Sequence, residues 1–178
     1  MDIGGLNLLK SQGIKFDTGL TSDEVVQIEA IYEFTFPQSI REFLMLALPV
    51  SKGFYNWRNT TGENIEFIKQ VMESPATTIE DMAEEIDWCD IWGNEPEDKN
   101  YAIKTRLKSA PRLLPIYIHR YMPIVPDKNP PILSIHGIDI IYYGKNLKDY
   151  FEVEFGEKKQ SEIEFSDIRP IPFWSDFM

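Results

Sequence analysis

Few residues in this chain could do chemistry. His119 and His136 are the only histidines, and Cys89 is the only cysteine, in 178 residues. Zinc takes several His or Cys ligands at workable spacing. A site of His119, His136 and one carboxylate is the most the composition offers, and no metal is expected. His119 has a reference pKa near neutrality, which suits a general base, and Asp139 or Glu152 could orient it. A blander reading weighs more. Tyr117, His119, Arg120 and Tyr121 fall where one β-rich run ends and the next begins, and polar groups at such bends bond backbone. Cys89, between Trp88 and Asp90 with no histidine near in sequence, reads as a buried or semi-buried bystander.

Glu80, Asp81, Glu84, Glu85 and Asp87 are the densest acids singled out. Carboxylates bind hard cations, but the alternating Asp/Asn-then-Gly spacing of a calcium loop is absent. They lie on the outer face of a helix predicted from Ile79, Met82, Ala83 and Ile86 and entered through Pro75 and Thr78, so they read as a solvated face. No Gly-x-Gly-x-x-Gly, phosphate-loop or Gly-x-Ser-x-Gly pattern occurs. No catalytic residue and no cofactor are expected, and the chain reads as a binding protein rather than an enzyme.

The totals point the same way. Eighteen basic against 29 acidic side chains give a net charge of −11. Nucleic acid needs a basic footprint, so it is a poor partner, and an anionic membrane is disfavoured for the same reason. No apolar run approaches the ~20 residues of a membrane helix. No basic flank precedes a long apolar run at the N-terminus, so no secretory signal is expected. One cysteine allows no internal disulfide, which is compatible with a reducing compartment. A cytoplasmic protein is the expectation. With 43% apolar and 13% aromatic residues, one domain with a buried core is predicted, residues 1–19 forming an extension and 20–178 the core.

These residues need elements to position them. Thr21 and Glu24 spell a capping box, with Leu20 and Val25 at the staple positions, for a helix that buries Val25, Ile28 and Tyr32. Pro37 opens a second helix with Ile40, Phe43, Leu44 and Ala47 on one face. Residues 51–62 read as a loop in which Tyr55 and Trp57 are either a recognition patch or folded back onto the core. Helices are predicted from Glu63 to Met72, through Ile79–Ile86, and from Asp98 to Ser109. Alternating Leu114, Ile116 and Ile118, then Met122 and Ile124, Ile132 to Ile135, and Ile138 to Tyr143 supply strands. Short connections make these strands antiparallel neighbours. Asn146 and Asp149 offer a cap for a helix through Phe155, Gly156–Glu164 reads as charged and mobile, and the apolar tail from Ile168 docks. The fold class is α+β: N-terminal helices on an antiparallel meander, then a helix and a docked tail.

Pro115-Ile-Tyr-Ile-His119-Arg120-Tyr121-Met-Pro123, then Asn129-Pro130-Pro-Ile-Leu-Ser134-Ile and Asp139-Ile-Ile-Tyr142-Tyr143-Gly144, resembles the SUKH superfamily of Smi/Knr cell-wall regulators and their bacterial homologues. Leu20-Thr21-x-x-Glu24, Phe36-Pro37, Glu42-Phe43-Leu44, Trp88-x-x-x-Trp92-Gly93 and Ile171-Pro172-Phe173-Trp174-Ser175-Asp176 extend the resemblance over most of the chain from about Leu20. One segment departs. The family has a more apolar stretch before the tryptophan motif, whereas Glu80–Asp87 is acidic here, which marks a partner-specific surface. The resemblance implies a non-catalytic α+β domain. For bacterial members it implies immunity, by binding and neutralising a toxin, often a nuclease. An acidic inhibitor of a basic toxin domain fits the net charge. The alternatives are a general protein-interaction or regulatory domain of the cell-wall-regulator type and, behind it, a hydrolase centred on His119. The interface is expected among Tyr55 and Trp57, among Glu80, Glu84, Glu85 and Asp87, or along a polar edge with Tyr117, Arg120, Asp139 and Tyr143.

Overall fold

A computed structural model describes residues 3–178. The architecture is α+β. Helix α1 (Ile3–Ser11) leads into strand β1 (Phe16–Thr18), and helices α2 (Ser22–Tyr32) and α3 (Gln38–Leu46) follow. The capping box forms as its sequence requires: the Thr21 hydroxyl accepts from the Glu24 amide at 3.2 Å, and the Glu24 carboxylate accepts from the Thr21 amide at 2.7 Å. Strand β2 (Ala47–Pro49) continues directly from α3 and pairs antiparallel with β1. The segment expected as an extension is therefore part of the body. Leu9 is fully buried in the main core, and α1 packs on the last helix of the fold.

One helix, α4 (Gly62–Asp81), replaces the two predicted on either side of Pro75. Proline lacks the N–H that would bond the carbonyl four residues back. That carbonyl belongs to Val71. It accepts instead from the Ser74 hydroxyl at 3.1 Å and more weakly from the Tyr121 hydroxyl at 3.4 Å. Pro75 itself is buried. With the freed acceptor satisfied and the ring packed, the helix runs through to Asp81. Helix α5 (Lys99–Leu107) follows a turn-rich segment, with the Asp98 side chain accepting from the Tyr101 amide at 2.9 Å.

Strands β3 (Leu113–Tyr117), β4 (Arg120–Pro123), β5 (Ile132–His136) and β6 (Asp139–Gly144) form an antiparallel meander in sequence order. Both of its faces are covered, which is why β3 and β5 read as continuous apolar runs rather than as alternations. Leu114, Ile116, Met122 and Ile132 face the core shared with α1, α2, α3 and the first half of α4. Leu113, Tyr121, Leu133, Ile135 and Ile140 face a second cluster with Ile79, Ile103, Leu107 and the tail. Helix α6 (Leu147–Glu154) then lies against β6, its first turn capped by Asn146. Gly144 permits this close approach, since a Cβ there would come within 2.7–2.8 Å of the Tyr150 backbone.

The segment expected to be mobile is tied down. Lys158 pairs with Asp149 at 2.8 Å, and Ile163 is buried. The tail docks as its composition predicts. Ile171, Phe173 and Trp174 are buried, and the Trp174 indole donates to the Pro111 carbonyl at 2.8 Å.

Candidate functional site

Tyr55 and Trp57 belong to the core, with only 8% and 3% of their surfaces exposed. Trp57 fills a box of edge-on contacts with Tyr32 and Phe36 at 5.3 and 5.5 Å. The Tyr55 hydroxyl donates to the Ile118 carbonyl at 2.6 Å, and burial pushes that phenol far above its usual range. Neither can reach a partner, which corrects their inclusion among contact residues. The loop folds inward because a Trp and a Tyr have large apolar area to bury, and Tyr32, Phe34 and Phe36 offer Trp57 an aromatic surface to pack on.

The tip joining β3 to β4 is strained. Ile118 has φ +48, a left-handed conformation that costs a β-branched residue of the order of 1–2 kcal/mol. It is held from both sides: its amide donates to the Gly53 carbonyl at 2.9 Å, and its own carbonyl takes the Tyr55 hydroxyl. Half of the Ile118 side chain is exposed.

Next to the tip, Arg120 is buried rather than placed on an edge, at 8% exposure. Its guanidinium pairs with Glu154 of α6 at 2.9 Å, donates to the Ser134 hydroxyl at 2.8 Å, and lies 3.8 Å over the Tyr143 ring. It also meets the His119 Nε2. Desolvation, then the nearby charges of Arg120 and His136, lower the His119 pKa below its usual value, so the imidazole is neutral at pH 7. The Tyr150 hydroxyl, fully buried close by, has no hydrogen-bond partner, and burial raises its pKa strongly. Tyr117 packs at an angle against Phe54 and edge-on against Phe155, with ring centres at 4.8 and 5.2 Å. Asp139 is exposed at the start of β6, opposite His136 in register. The expected edge thus divides. Arg120 and Tyr143 come together with Glu154, which the sequence reading did not include. Tyr117 packs with aromatics, and Asp139 stays at the surface. No group of three or more His, Cys, Asp or Glu side chains that could hold a metal occurs among the described residues.

The acidic segment is different in kind. Glu80, Glu84, Glu85 and Asp87 are all exposed. Glu80 lies in the last turn of α4, and the other three lie on the turns and irregular chain after it, not on a second helix. Their sequence neighbours extend the run: from Glu80 to Asp98 there are nine acids and no base. Asp90, Glu95, Glu97 and Asp98 were missed, although the composition of that run could have shown them. No ion pair forms within this stretch among the described residues. Its charges meet only local donors, such as the Asn100 amide on Glu84 at 3.1 Å.

The backbone beneath the acids is braced. The Arg106 guanidinium stacks 5.5 and 5.1 Å from the Trp88 and Trp92 ring centres and donates to the Trp92 carbonyl at 3.0 Å. The Trp92 indole donates to Asp176 at 2.6 Å, locking the segment to the docked tail. The Cys89 thiol donates to the Asp176 carbonyl at 3.3 Å. Ile91 is 72% exposed within the acids, and Tyr101, on the adjoining first turn of α5, is 68% exposed.

Comparison with protein-family models, with curated proteins and with solved structures finds no match. No helix among the described residues is long and apolar enough to cross a membrane.

Proposed function

We propose that this protein is a non-catalytic binding domain of the immunity type, which captures a basic toxin domain through the Glu80–Asp98 surface and so neutralises it. The observation that carries the reading is the exposed run of nine acids without a base, held on a braced backbone. Unpaired surface charges of one sign speed the encounter with a partner of the other sign and keep out like-charged surfaces. Bracing lowers the ordering cost of the contact. The sequence resemblance to the SUKH superfamily supports the same reading, since neutralising a toxin by occlusion needs no nucleophile, metal or cofactor.

The test is titration of the full chain against the basic C-terminal domain of a toxin encoded beside its gene, over a range of salt. A complex that weakens steeply as salt rises is the expected result. No complex at low salt overturns the reading for that toxin. Salt-insensitive binding to several unrelated endogenous proteins would favour the general regulatory-domain alternative.

A further inference from the structure

A second site lies away from the acidic run. A cleft of about 750 Å³ opens between the Pro-rich segment at residues 124–131 and the tail at residues 167–172. That is within the ~300–1,000 Å³ typical of small-ligand pockets. Ile124, Val125 and Ile171 give it apolar walls. Five prolines line it, at 111, 126, 131, 170 and 172, and their fixed φ angles limit how far the walls can collapse. Hydrogen bonds hold both sides. The Ile171 amide donates to the Ser175 hydroxyl at 2.7 Å, that hydroxyl bonds Tyr142 of the sheet at 2.6 Å, and Trp174 holds Pro111.

Four charged side chains line the cleft, and three of them are engaged. Lys145 pairs with Asp167 at 3.4 Å, and Asp127 accepts from the Asn129 amide at 2.9 Å. The Arg169 guanidinium has no partner among the described residues. A planar fork of donors over an apolar cleft is a receptor for a carboxylate. Two nearby carboxylates and a net charge of −11 disfavour a ligand with more than one negative charge. We infer that this cleft binds a small amphiphilic monoanion, its aliphatic or aryl body on Ile124, Val125 and Ile171 and its carboxylate on Arg169. The inference stands apart from the protein-binding reading and shares none of its residues.

Three probes with one body and different heads test it on the full chain: 4-phenylbutyrate, 4-phenylbutan-1-ol and 4-phenylbutylamine, followed by amide chemical shifts at matched ionic strength. The expected result is saturable shifts at Val125, Arg169 and Ile171. The carboxylate should bind about five-fold more tightly than the alcohol, as an exposed ion pair allows, and the amine should bind most weakly. Arg169→Gln, a surface change that leaves the fold intact, should abolish the preference for the carboxylate and leave alcohol binding unchanged. Ser109→Trp, which fills the cleft, should weaken all three probes. Equal affinity for the three heads, shifts mapping elsewhere, or no saturable shift overturns the inference.

Discussion

The Arg120 cluster and the Glu80–Asp98 run are both rich in charge and are built on opposite principles. In the first, the charge is taken out of water and answered on every side by Glu154, Ser134 and the Tyr143 ring. In the second, the acids stay in water without ion pairs, on a backbone that the Trp88–Arg106–Trp92 stack holds still. A compensated, buried charge fixes how α6 sits on the sheet, and its energy is spent within the molecule. An uncompensated, exposed charge adds nothing to stability and remains available to a partner. The contrast gives the first region a structural role and is the basis on which recognition is proposed for the second.

The largest effect should come from breaking the buried pair on one side. Glu154→Gln leaves Arg120 uncompensated, and urea unfolding should show a loss of about 2–3 kcal/mol, below the full cost of a wholly buried pair because Glu154 is partly solvated. Replacing both partners with apolar residues, Arg120→Met with Glu154→Leu, should recover most of that loss. A loss under about 0.5 kcal/mol for Glu154→Gln would place the cluster with ordinary surface pairs and erase the contrast.

Charge reversal of the exposed run should do the opposite. The triple change Glu84→Lys, Glu85→Lys and Asp87→Lys should leave unfolding free energy within about 0.5 kcal/mol. It should weaken capture of a basic partner about ten-fold or more, chiefly through the association rate, as surface plasmon resonance at low salt can read. A large stability loss with unchanged capture would invert the two roles.

Smaller changes sharpen the boundary of the buried region. Ile118→Gly relieves the left-handed strain at the tip and should raise stability by up to about 1 kcal/mol, readable as a higher Tm. A fall in Tm would show that the Ile118 side chain contributes more than its backbone costs. The smallest effect concerns pH. Burial desolvates His119, the charges of Arg120 and His136 lower its pKa further, and Glu154 acts with the contrary sign. The folded pKa is depressed below 6.5, so the unfolded chain binds more protons in that range. The stability His119 contributes is therefore present above 6.5 and declines as pH falls below it. His119→Gln should flatten this part of the stability–pH curve, and an unaltered curve would remove His119 from the cluster's electrostatics.

Local chemistry was legible wherever neighbours in sequence complete it. The Thr21–Glu24 box, the Asn146 cap and the antiparallel meander follow from spacing alone, because each rests on bonds between near residues or on short connections. The continuity of α4 through Pro75 is not legible locally, because the packing that buries the proline ring and the Tyr121 donor that supplements Ser74 at the Val71 carbonyl come from distant strands. The acidic run is legible in composition through to Asp98, but a helix pattern that stops at Ile86 gives no reason to join the later acids to it.

The sequence by itself determined most of the helices, the four-strand meander, the α+β class and the negative sign of the surface, but not the β1–β2 pair or the continuity of α4. What it determined depends on periodicity, caps and side-chain counts. Only the tertiary structure decided which polar and aromatic residues face water. Tyr55 and Trp57 went inside because α2, the Phe36 segment and the Ile118 tip converge on them. Arg120 went inside because α6 brings Glu154 over it. Burial of a polar or aromatic side chain depends on whether distant partners arrive to satisfy it, and no local pattern records that arrival.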